Sequence, residues 1–221
     1  DAGSSYVIFG KAAGFDATLT LSSLNGLNGF RLDGVATNDY SGVSVSSAGD
    51  VNGDGFDDVM MSLPYASPNG NDSGSSYVIF GGNFTAAVTH PGTPENDNLI
   101  GTSAAERFVA GNGNDTMTGS GGADVFHGGA GDDIIQVSDL DFRLVDGGTG
   151  SDTLTLVDSG MSLNLLNVRS KISDIETIDL TGTGNNTLTL TPLDVLNLSN
   201  SSNTLKVDGN AGDHVVGLSS R

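Results

Sequence analysis

The sequence contains no cysteine and no tryptophan, and only eight of its 221 residues are lysine or arginine. Without cysteine the fold has no disulfide bonds, so another kind of cross-link must support a thin core. Against the eight basic residues stand 27 aspartates and glutamates, which give a formal net charge of −19. A chain this acidic repels nucleic acids and anionic membrane surfaces, and we exclude both as partners.

Long apolar runs and catalytic motifs are also missing. No stretch approaches the roughly 18 consecutive apolar residues of a membrane-spanning helix. The three histidines, His90, His127 and His214, lie outside any HExxH zinc-protease signature. No GxSxG nucleophile pattern occurs, nor a GxGxxG turn between a strand and a helix. We therefore predict that the chain is not an enzyme and that its carboxylates are ligands.

Glycine is abundant, with 33 residues, whereas proline numbers five and follows no collagen period. Glycine at this level indicates many tight turns. Between the turns lie short runs rich in β-forming residues, such as Val59–Leu63 and Thr187–Leu190. The sequence predicts an all-β protein with one short helix, which begins at Pro192 after the capping residue Thr191.

The segment GSSYVIFG occurs twice, at residues 3–10 and 74–81. Between the copies lies the loop DVNGDGFDD at 50–58, which carries oxygen side chains at alternate positions. Calcium prefers six to eight oxygen ligands at about 2.3–2.6 Å in flexible geometry. We predict a calcium site formed by the carbonyl of Phe56 and the side chains of Asp50, Asn52, Asp54 and Asp58.

The sequence GDVNGDGFDDVMMSLPY at 49–65, followed by GSSYVIFGG at 74–82, resembles the FG-GAP (integrin-type) β-propeller repeat. The resemblance covers roughly residues 1–85 and implies an antiparallel blade whose calcium loop joins two strands. It departs from the family at Tyr40-Ser41-Gly42, where Phe-Gly is usual. A propeller needs at least four blades, and this chain has about one. Its open edges are therefore expected to pair with another chain or with blades outside the sequence.

A second repeat, with a period of nine residues, begins at Gly92 and continues to about residue 155. Position six of successive units carries Asp97, Glu106, Asp115, Asp124, Asp133, Phe142 and, after one extra residue, Asp152. Position eight is always apolar and carries Leu99, Phe108, Met117, Phe126, Ile135, Leu144 and Leu154. We expect the position-eight side chains to fill a thin core, with the carboxylates in the turns.

These units resemble the RTX (haemolysin-type) calcium repeat, GGxGxDxUx. The resemblance implies a parallel β-roll in which two units form one coil, so that Asp97, Asp115 and Asp133 line one edge. Glu106 and Asp124 line the other edge. Each calcium ion is expected between stacked turns, held by carboxylates and loop carbonyls. The candidate ligands in the roll are Asp97, Glu106, Gly111, Gly113, Asp115, Gly121, Asp124, Gly128, Gly131, Asp133 and Asp152.

The acidic pattern stops near residue 156, while short strand-like segments continue. We predict three segments: an incomplete FG-GAP-type blade over 1–88, a calcium-binding β-roll over 89–155 and a β-solenoid extension or cap over 156–221. Phe142 is expected to interrupt one column of ions, and Asp152 to lie out of register. Roughly four calcium ions are expected, one in the 50–58 loop and three in the roll.

Proteins with such repeats are typically exported by type I secretion systems of Gram-negative bacteria and fold outside the cell, where calcium is plentiful. The tail from Ile172 onward is similar to the C-terminal region of giant secreted adhesins. The chain begins without a visible signal peptide, so we expect a fragment of a longer protein. The resemblance implies a calcium-binding structural or adhesive module of a large extracellular, cell-surface protein with an unidentified surface or matrix ligand. Two alternatives stay open: the secretion and folding domain of an exported hydrolase, and a self-associating subunit of an extracellular filament or sheath.

Overall fold

Short β-strands joined by tight turns make up most of the regular structure in the computed structural model, which describes residues 2–11, 14–84, 86–199 and 202–217. The chain divides into two units, formed by residues 1–52 with 56–87 and by residues 53–55 with 88–221. Sheets of the first unit are antiparallel and those of the second are parallel. The all-β class predicted from the sequence is confirmed.

The first unit contains two antiparallel sheets. Its strands are β1 (Ser4–Ile8), β2 (Gly29–Asp33), β3 (Val45–Gly49), β4 (Asp58–Leu63) and β5 (Ser75–Ile79). β1 pairs with β2, while β4 lies between β3 and β5 in a three-stranded sheet. The loop at 50–57 joins the antiparallel strands β3 and β4, as the FG-GAP resemblance implies. A small core of Met61, Leu63 and Ala66 holds the unit together, with Leu32 and Ile79 packed against it.

The second unit is a parallel β-roll with two short helices, α1 (Leu165–Val168) and α2 (Pro192–Leu198). Its strands are β6 (His90–Pro91), β7 (Asn98–Ile100), β8 (Arg107–Asn112), β9 (Thr116–Thr118), β10 (Val125–Ala130), β11 (Ile134–Val137), β12 (Leu144–Thr149), β13 (Thr153–Leu156), β14 (Ser162–Asn164), β15 (Ile172–Ser173), β16 (Thr177–Asp179), β17 (Thr187–Leu190), β18 (Lys206–Asp208) and β19 (His214–Gly217).

Consecutive strands of the roll alternate between two long sheets. One sheet has the order β6-β8-β10-β12-β15 and the other has the order β7-β9-β11-β13-β16-β18, while β14-β17-β19 form a third. Asn98 pairs with Thr116, and Thr116 pairs with Ile134. Corresponding residues of neighbouring coils are therefore 18 apart, as the nine-residue repeat predicts. After residue 155, β15, β16 and β18 extend the two long sheets, whereas β14, β17 and β19 make up the third.

Position-eight side chains fill the space between the two long sheets, as predicted. Completely buried members of this column are Phe108, Met117, Phe126, Ile135 and Leu154. The rings of Phe108 and Phe126 stack with centroids 4.8 Å apart, and the ring of His90 stacks on Phe108 at 4.5 Å. Burial of large apolar side chains in register favours one alignment of the coils, because a slip of one residue would turn every side chain outward.

The extra residue before the last nine-residue unit shifts the register by one, and the turn absorbs the shift. Val145, rather than Leu144, pairs with Phe126 and is completely buried. The backbone N–H groups of Arg143 and Leu144 both donate to the carbonyl of Asp124, which marks where the chain bulges. The placement of Leu144 in the core is thus wrong.

Asp152 is in register with Asp133, because the residues that follow them, Thr153 and Ile134, pair across β13 and β11. The prediction that the extra residue displaces Asp152 is therefore also wrong.

The helix predicted at Pro192 is confirmed, and its capping box is complete. The Thr191 hydroxyl accepts the backbone N–H of Asp194, whose carboxylate accepts the backbone N–H of Thr191. A second helix, α1, was not predicted, because Leu165-Leu166 looks like the end of a strand. Asn164 caps it by accepting the N–H of Leu166, which diverts the backbone from the sheet.

Candidate metal centre

Position-six carboxylates form a hydrogen-bonded column along one edge of the roll, which we call the acidic column: Asp97, Asp115, Asp133, Asp152 and Glu176. Oδ1 of Asp115 accepts the N–H of Asp97 at 2.7 Å, and Oδ1 of Asp133 accepts the N–H of Asp115 at 2.8 Å. In the same way Asp152 accepts from Asp133, and Glu176 accepts from Asp152, both at 2.8 Å. Each carboxylate thus reaches back to the turn one coil earlier.

Three members of the acidic column have a second oxygen that is buried without a hydrogen-bond partner. These atoms are the Oδ2 atoms of Asp115, Asp133 and Asp152, whose residues are at most 1% exposed. A buried carboxylate oxygen without a partner is costly. A hard divalent cation such as Ca²⁺ binds such oxygens and balances their charge. The three side chains therefore fit a calcium ion.

Burial and mutual repulsion raise the pKa values of the same carboxyls. Burial, with the charges of Asp152 and Asp115, raises the pKa of Asp133 to about 7. Burial, with the charges of Glu176 and Asp132, raises the pKa of Asp152 to about 6. The pKa of Asp115 is raised by burial and by Asp97. Two positive charges beside this column would favour the ionised forms instead.

A second column runs beside the first, at position five, and was not anticipated. Oδ1 of Asn96 accepts the N–H of Asn114 at 2.8 Å, and Oδ1 of Asn114 accepts that of Asp132 at 3.0 Å. Asp132 accepts the N–H of Ser151 at 2.9 Å. These side chains reach forward by one coil, whereas the acidic column reaches back. The sequence signal was the recurrence of Asn or Asp just before alternate position-six residues.

Two columns of glycine let the turns stack closely: Gly111, Gly129 and Gly148 at position two, and Gly113, Gly131 and Gly150 at position four. All six have positive φ, between 95° and 145°. A Cβ atom on Gly129 would lie 2.0 Å from the Gly111 carbonyl oxygen, and one on Gly131 would lie 2.0 Å from that of Gly113. The carbonyl of each turn is thus packed directly against the glycine Cα of the turn one coil later.

The predicted glycine ligands fall only partly in these columns. Gly111, Gly113 and Gly131 belong to them, whereas Gly128 stands at position one, where a Cβ would lie 2.4 Å from Oδ2 of Asp133. Gly121 is at position three of its unit. The structure adds Gly129, Gly148 and Gly150, which the sequence reasoning missed although all three fit the repeat.

On the opposite edge of the roll as the structure describes it, the carboxylates of Glu106 and Asp124 have no buried oxygen without a hydrogen-bond partner. Asp124 continues the same bonding pattern, because its Oδ1 accepts the N–H of Glu106 at 2.9 Å. Both oxygens of Glu106 are satisfied by Thr102, at 2.8 Å to its N–H and 2.7 Å to its hydroxyl. Burial opposes ionisation of Glu106, but these hydrogen bonds outweigh it and lower its pKa. The pKa of Asp124 is raised by burial.

A threonine at position two also satisfies Asp97, at the start of the acidic column. Oδ2 of Asp97 accepts the backbone N–H of Thr93 at 2.6 Å and the Thr93 hydroxyl at 2.8 Å. The unpartnered oxygens of Asp115, Asp133 and Asp152 therefore occur where position two is glycine: Gly111, Gly129 and Gly148. On the opposite edge, Phe142 is buried and interrupts the carboxylates, as the sequence indicates.

Beyond this interruption a second set of satisfied side chains, which we call the Asn186 column, takes over on the opposite edge. Oδ1 of Asn186, which is completely buried, accepts the N–H of Met161 at 2.9 Å, and Oδ1 of Asp213 accepts that of Asn186 at 2.8 Å. The amide Nδ2 of Asn186 donates to the Leu180 carbonyl at 3.2 Å. Asn186 makes the same coil-to-coil bond as the aspartates but brings no charge and leaves no orphaned oxygen.

In the 50–58 loop the five predicted ligands differ in exposure. Asp58 is buried, and its carboxylate accepts backbone N–H groups from Val51 at 2.9 Å and from Gly81 at 2.7 Å. Asp50 and Asn52 are exposed, while Asp54 and Phe56 are partly exposed. Gly53 and Gly55 have φ values of 73° and 79°, which side chains disfavour. Asp58 thus holds the backbone of the loop, and the other four residues surround its turn.

Among the described residues, no three acidic or histidine side chains cluster as a metal site of side chains alone. This follows from the architecture, because each coil contributes one carboxylate to an edge and the remaining oxygens are carbonyls.

Both repeats match models of known families. Residues 41–79 match the model of the FG-GAP repeat, and residues 100–135 match four copies of the RTX calcium-binding nonapeptide repeat. Neither the curated proteins nor the solved structures give a match. Both resemblances seen in the sequence are confirmed: the chain carries repeats of a calcium-binding family beside an FG-GAP repeat. Repeats of both kinds are typically structural, non-catalytic and extracellular. No described helix is long and apolar enough to span a bilayer.

Proposed function

We propose that the acidic column binds Ca²⁺ and that binding completes the fold of the roll, so that the chain acts as a calcium-dependent structural module. The observation that carries this proposal is the stack of three buried, unpartnered oxygens on Asp115, Asp133 and Asp152. In the folded coils each carboxylate is anchored through its other oxygen, so the position of the unpartnered atom is fixed. Such oxygens favour Ca²⁺, whose coordination geometry is flexible, over Mg²⁺, which requires a stricter octahedral geometry and retains its waters.

The ligands would come from two sources in the stacked turns. Asp115, Asp133 and Asp152 would supply carboxylate oxygens, and the two glycine columns would supply carbonyls. The bound ion supplies positive charge that offsets the repulsion within the column. This proposal places the main ions at the pairs 115/133 and 133/152. The pairs 97/115 and 106/124 remain proposed sites, in which Thr93 and Thr102 compete for the carboxylates.

We also propose one ion in the 50–58 loop, held by Asp50, Asn52, Asp54 and the Phe56 carbonyl. The FG-GAP match over residues 41–79 and the two left-handed glycines support this assignment. Asp58 would contribute chiefly by holding the ends of the loop, since both its oxygens accept backbone N–H groups.

At the level of the whole protein, we propose an adhesive or structural segment of a large secreted surface protein. A column of carboxylates that needs calcium would stay unfolded where calcium is scarce and would fold where it is plentiful, which suits export through a narrow secretion channel. The sequence encoded on either side of this segment tests the idea. Many further repeats support an adhesin, whereas a catalytic domain would favour the secretion domain of a hydrolase.

Ion counting tests the calcium proposal directly. Equilibrium dialysis followed by metal analysis should find about four to five Ca²⁺ per chain, one in the 50–58 loop and the others at the four pairs of the roll. The Asp115→Asn, Asp133→Asn, Asp152→Asn triple variant should lose about two to three of them, those at the pairs 97/115, 115/133 and 133/152, and should keep the ion in the 50–58 loop. The Asp50→Asn, Asp54→Asn variant should lose one. Full occupancy in the triple variant would contradict the site proposed here.

The raised pKa values predict opposite pH dependences with and without calcium. Without calcium, the folded state holds protons on Asp133 and Asp152 more tightly than the unfolded state does. The resulting stabilisation is present below about pH 4 and is lost as the pH rises through about 6 to 7, so the free energy of unfolding should fall over that range. With calcium, protons compete with the ion and stability should rise over the same range. Urea unfolding at about pH 5 and pH 8 decides the sign.

A further inference from the structure

The repeated segment GSSYVIFG forms both β1 and β5, and the two copies pair with different strands. β1 pairs with β2, with Val7 opposite Phe30, whereas β5 pairs with β4, with Tyr77 opposite Met61. Within the described residues each copy is the terminal strand of its sheet. Because the five residues Ser-Ser-Tyr-Val-Ile are identical in β1 and β5, each copy shows one way in which this strand can be paired.

The copy in β1 hydrogen-bonds to β2 through the backbone groups along one of its two edges. Successive residues of a strand direct their backbone N–H and C=O groups to opposite edges. Gly34 N–H donates to the Gly3 carbonyl, and Phe9 N–H donates to the Asn28 carbonyl, both across the β1–β2 pair. Residues 3, 5, 7 and 9 therefore face β2. The N–H groups of β2 that face β1 are, by the same alternation, those of residues 30, 32 and 34.

The copy in β5 hydrogen-bonds to β4 through the edge that corresponds to the edge of β1 left unpaired among the described residues. Ser62 in β4 donates its N–H to the Ser44 carbonyl and accepts the N–H of Gly42, so it faces the β3 side. Its neighbours Met61 and Leu63 consequently face β5, where they pair with Tyr77 and Ser75. Residues 76, 78 and 80 are left facing the outer edge. They correspond in the repeat to residues 5, 7 and 9, the ones that bind β2.

We propose that the outer edge of β5 binds a strand of the sequence Gly29–Asp33, supplied by a second copy of the chain. The register would repeat that of β1 with β2, so that Val78 lies opposite Phe30, Tyr77 opposite Arg31 and Ser75 opposite Asp33.

The side chains support this register. In β1, the Ser4 hydroxyl donates to Asp33 at 2.9 Å, and Ser75 stands at the same place in β5. Val7 is half-buried beside Phe30, whereas Val78 is 44% exposed and Phe80 is 55% exposed. A strand carrying phenylalanine opposite Val78 would cover the exposed side chains, because cross-strand neighbours on one face contact each other.

The exchange of partners is energetically reasonable. β2 belongs to a two-stranded sheet, an arrangement that is marginal in isolation. Moving β2 onto β5 of another copy would replace its bonds to β1 with equivalent bonds, and β2 would become the fourth strand of a larger sheet. The inference uses none of the proposed calcium ligands in the roll.

A synthetic peptide of residues 26–36 tests the edge. Labelled peptide should bind the full chain in millimolar calcium, as fluorescence anisotropy would show. N-methylation at Phe30, whose N–H faces the partner, should weaken binding about tenfold or more, and N-methylation at Arg31, whose N–H faces away, should change it little. On the protein, Val78→Pro should abolish peptide binding and leave the melting temperature nearly unchanged, because the Val78 N–H makes no bond to β4.

Three results would overturn the inference: no binding, equal effects of the two N-methyl groups, or full binding by Val78→Pro. The N-methyl pair leaves the protein unaltered and stays informative if the proline variant misfolds. Sedimentation tests the second copy as the source. The chain should associate as its concentration rises, and excess peptide should return it to a monomer. A chain that binds peptide but stays monomeric at its highest soluble concentration would contradict assembly between copies.

Discussion

Asp133→Asn should raise the calcium concentration at the folding midpoint by about tenfold or more and, in chelator, should stabilise the roll by about 1 kcal/mol. The amide keeps the Oδ1 atom that accepts the Asp115 N–H, so the coil-to-coil hydrogen bond survives. It removes the charge that Asp115 and Asp152 repel and removes a cation ligand that lies between two others. Calcium titrations and urea unfolding in chelator measure the two effects separately.

The matched control is Asp141→Asn, which removes the same charge from an exposed residue outside the acidic column. It should shift the calcium midpoint only slightly. Equal midpoints for the two variants would mean that general acidity, rather than the stacked oxygens, sets calcium affinity. Destabilisation of Asp133→Asn in chelator would mean that the charge is not a source of strain in the ion-free fold.

Removal of calcium should destabilise residues 92–155, so that a large fraction of this segment is unfolded at neutral pH, and should leave the later coils largely protected. Without the ion, the acidic column combines three orphaned oxygens with mutual repulsion. Far-UV circular dichroism should gain a strong β signal on addition of millimolar calcium, and magnesium should substitute poorly. Hydrogen exchange should localise the change: amides of β9 and β11 should be protected only with calcium.

The Asn186 column supplies the internal control for that experiment. Amides of β14 and β17 lie beside Asn186, which needs no cation, so their protection should depend little on calcium. An unchanged spectrum in chelator, or equal loss of protection in both parts of the roll, would contradict the proposed role of the ions.

Much of the roll could be predicted because two features recur with the nine-residue period: an acidic residue at position six and an apolar residue at position eight. Phe108 and Phe126 recur in step with Glu106 and Asp124, so both the core and the edges follow from counting. The counting fails where the chain inserts a residue. Whether Asp152 keeps its register depends on how the turn before Leu144 bulges. In that turn the carbonyl of Asp124 accepts two N–H groups, and no residue type in the sequence predicts this.

The demand for a cation could be predicted less well than the fold. Asp97 and Asp133 occupy the same position in the repeat, yet Thr93 satisfies one and nothing in the described structure satisfies the second oxygen of the other. The difference depends on the residue at position two and on its side-chain rotamer. The helix at Leu165–Val168 was missed for a related reason, since a single capping bond from Asn164 decides between strand and helix.

Asn186 gives the folding of the roll a direction. The coils around it have an apolar core and a polar column whose hydrogen bonds are all made, so they can form before any ion is bound. Once formed, they present a strand edge on which the preceding coil can be laid down, and each calcium ion then fixes one more turn. Assembly would proceed from the later residues toward the earlier ones, and a substitution such as Asn186→Leu would remove the starting surface rather than an ion site.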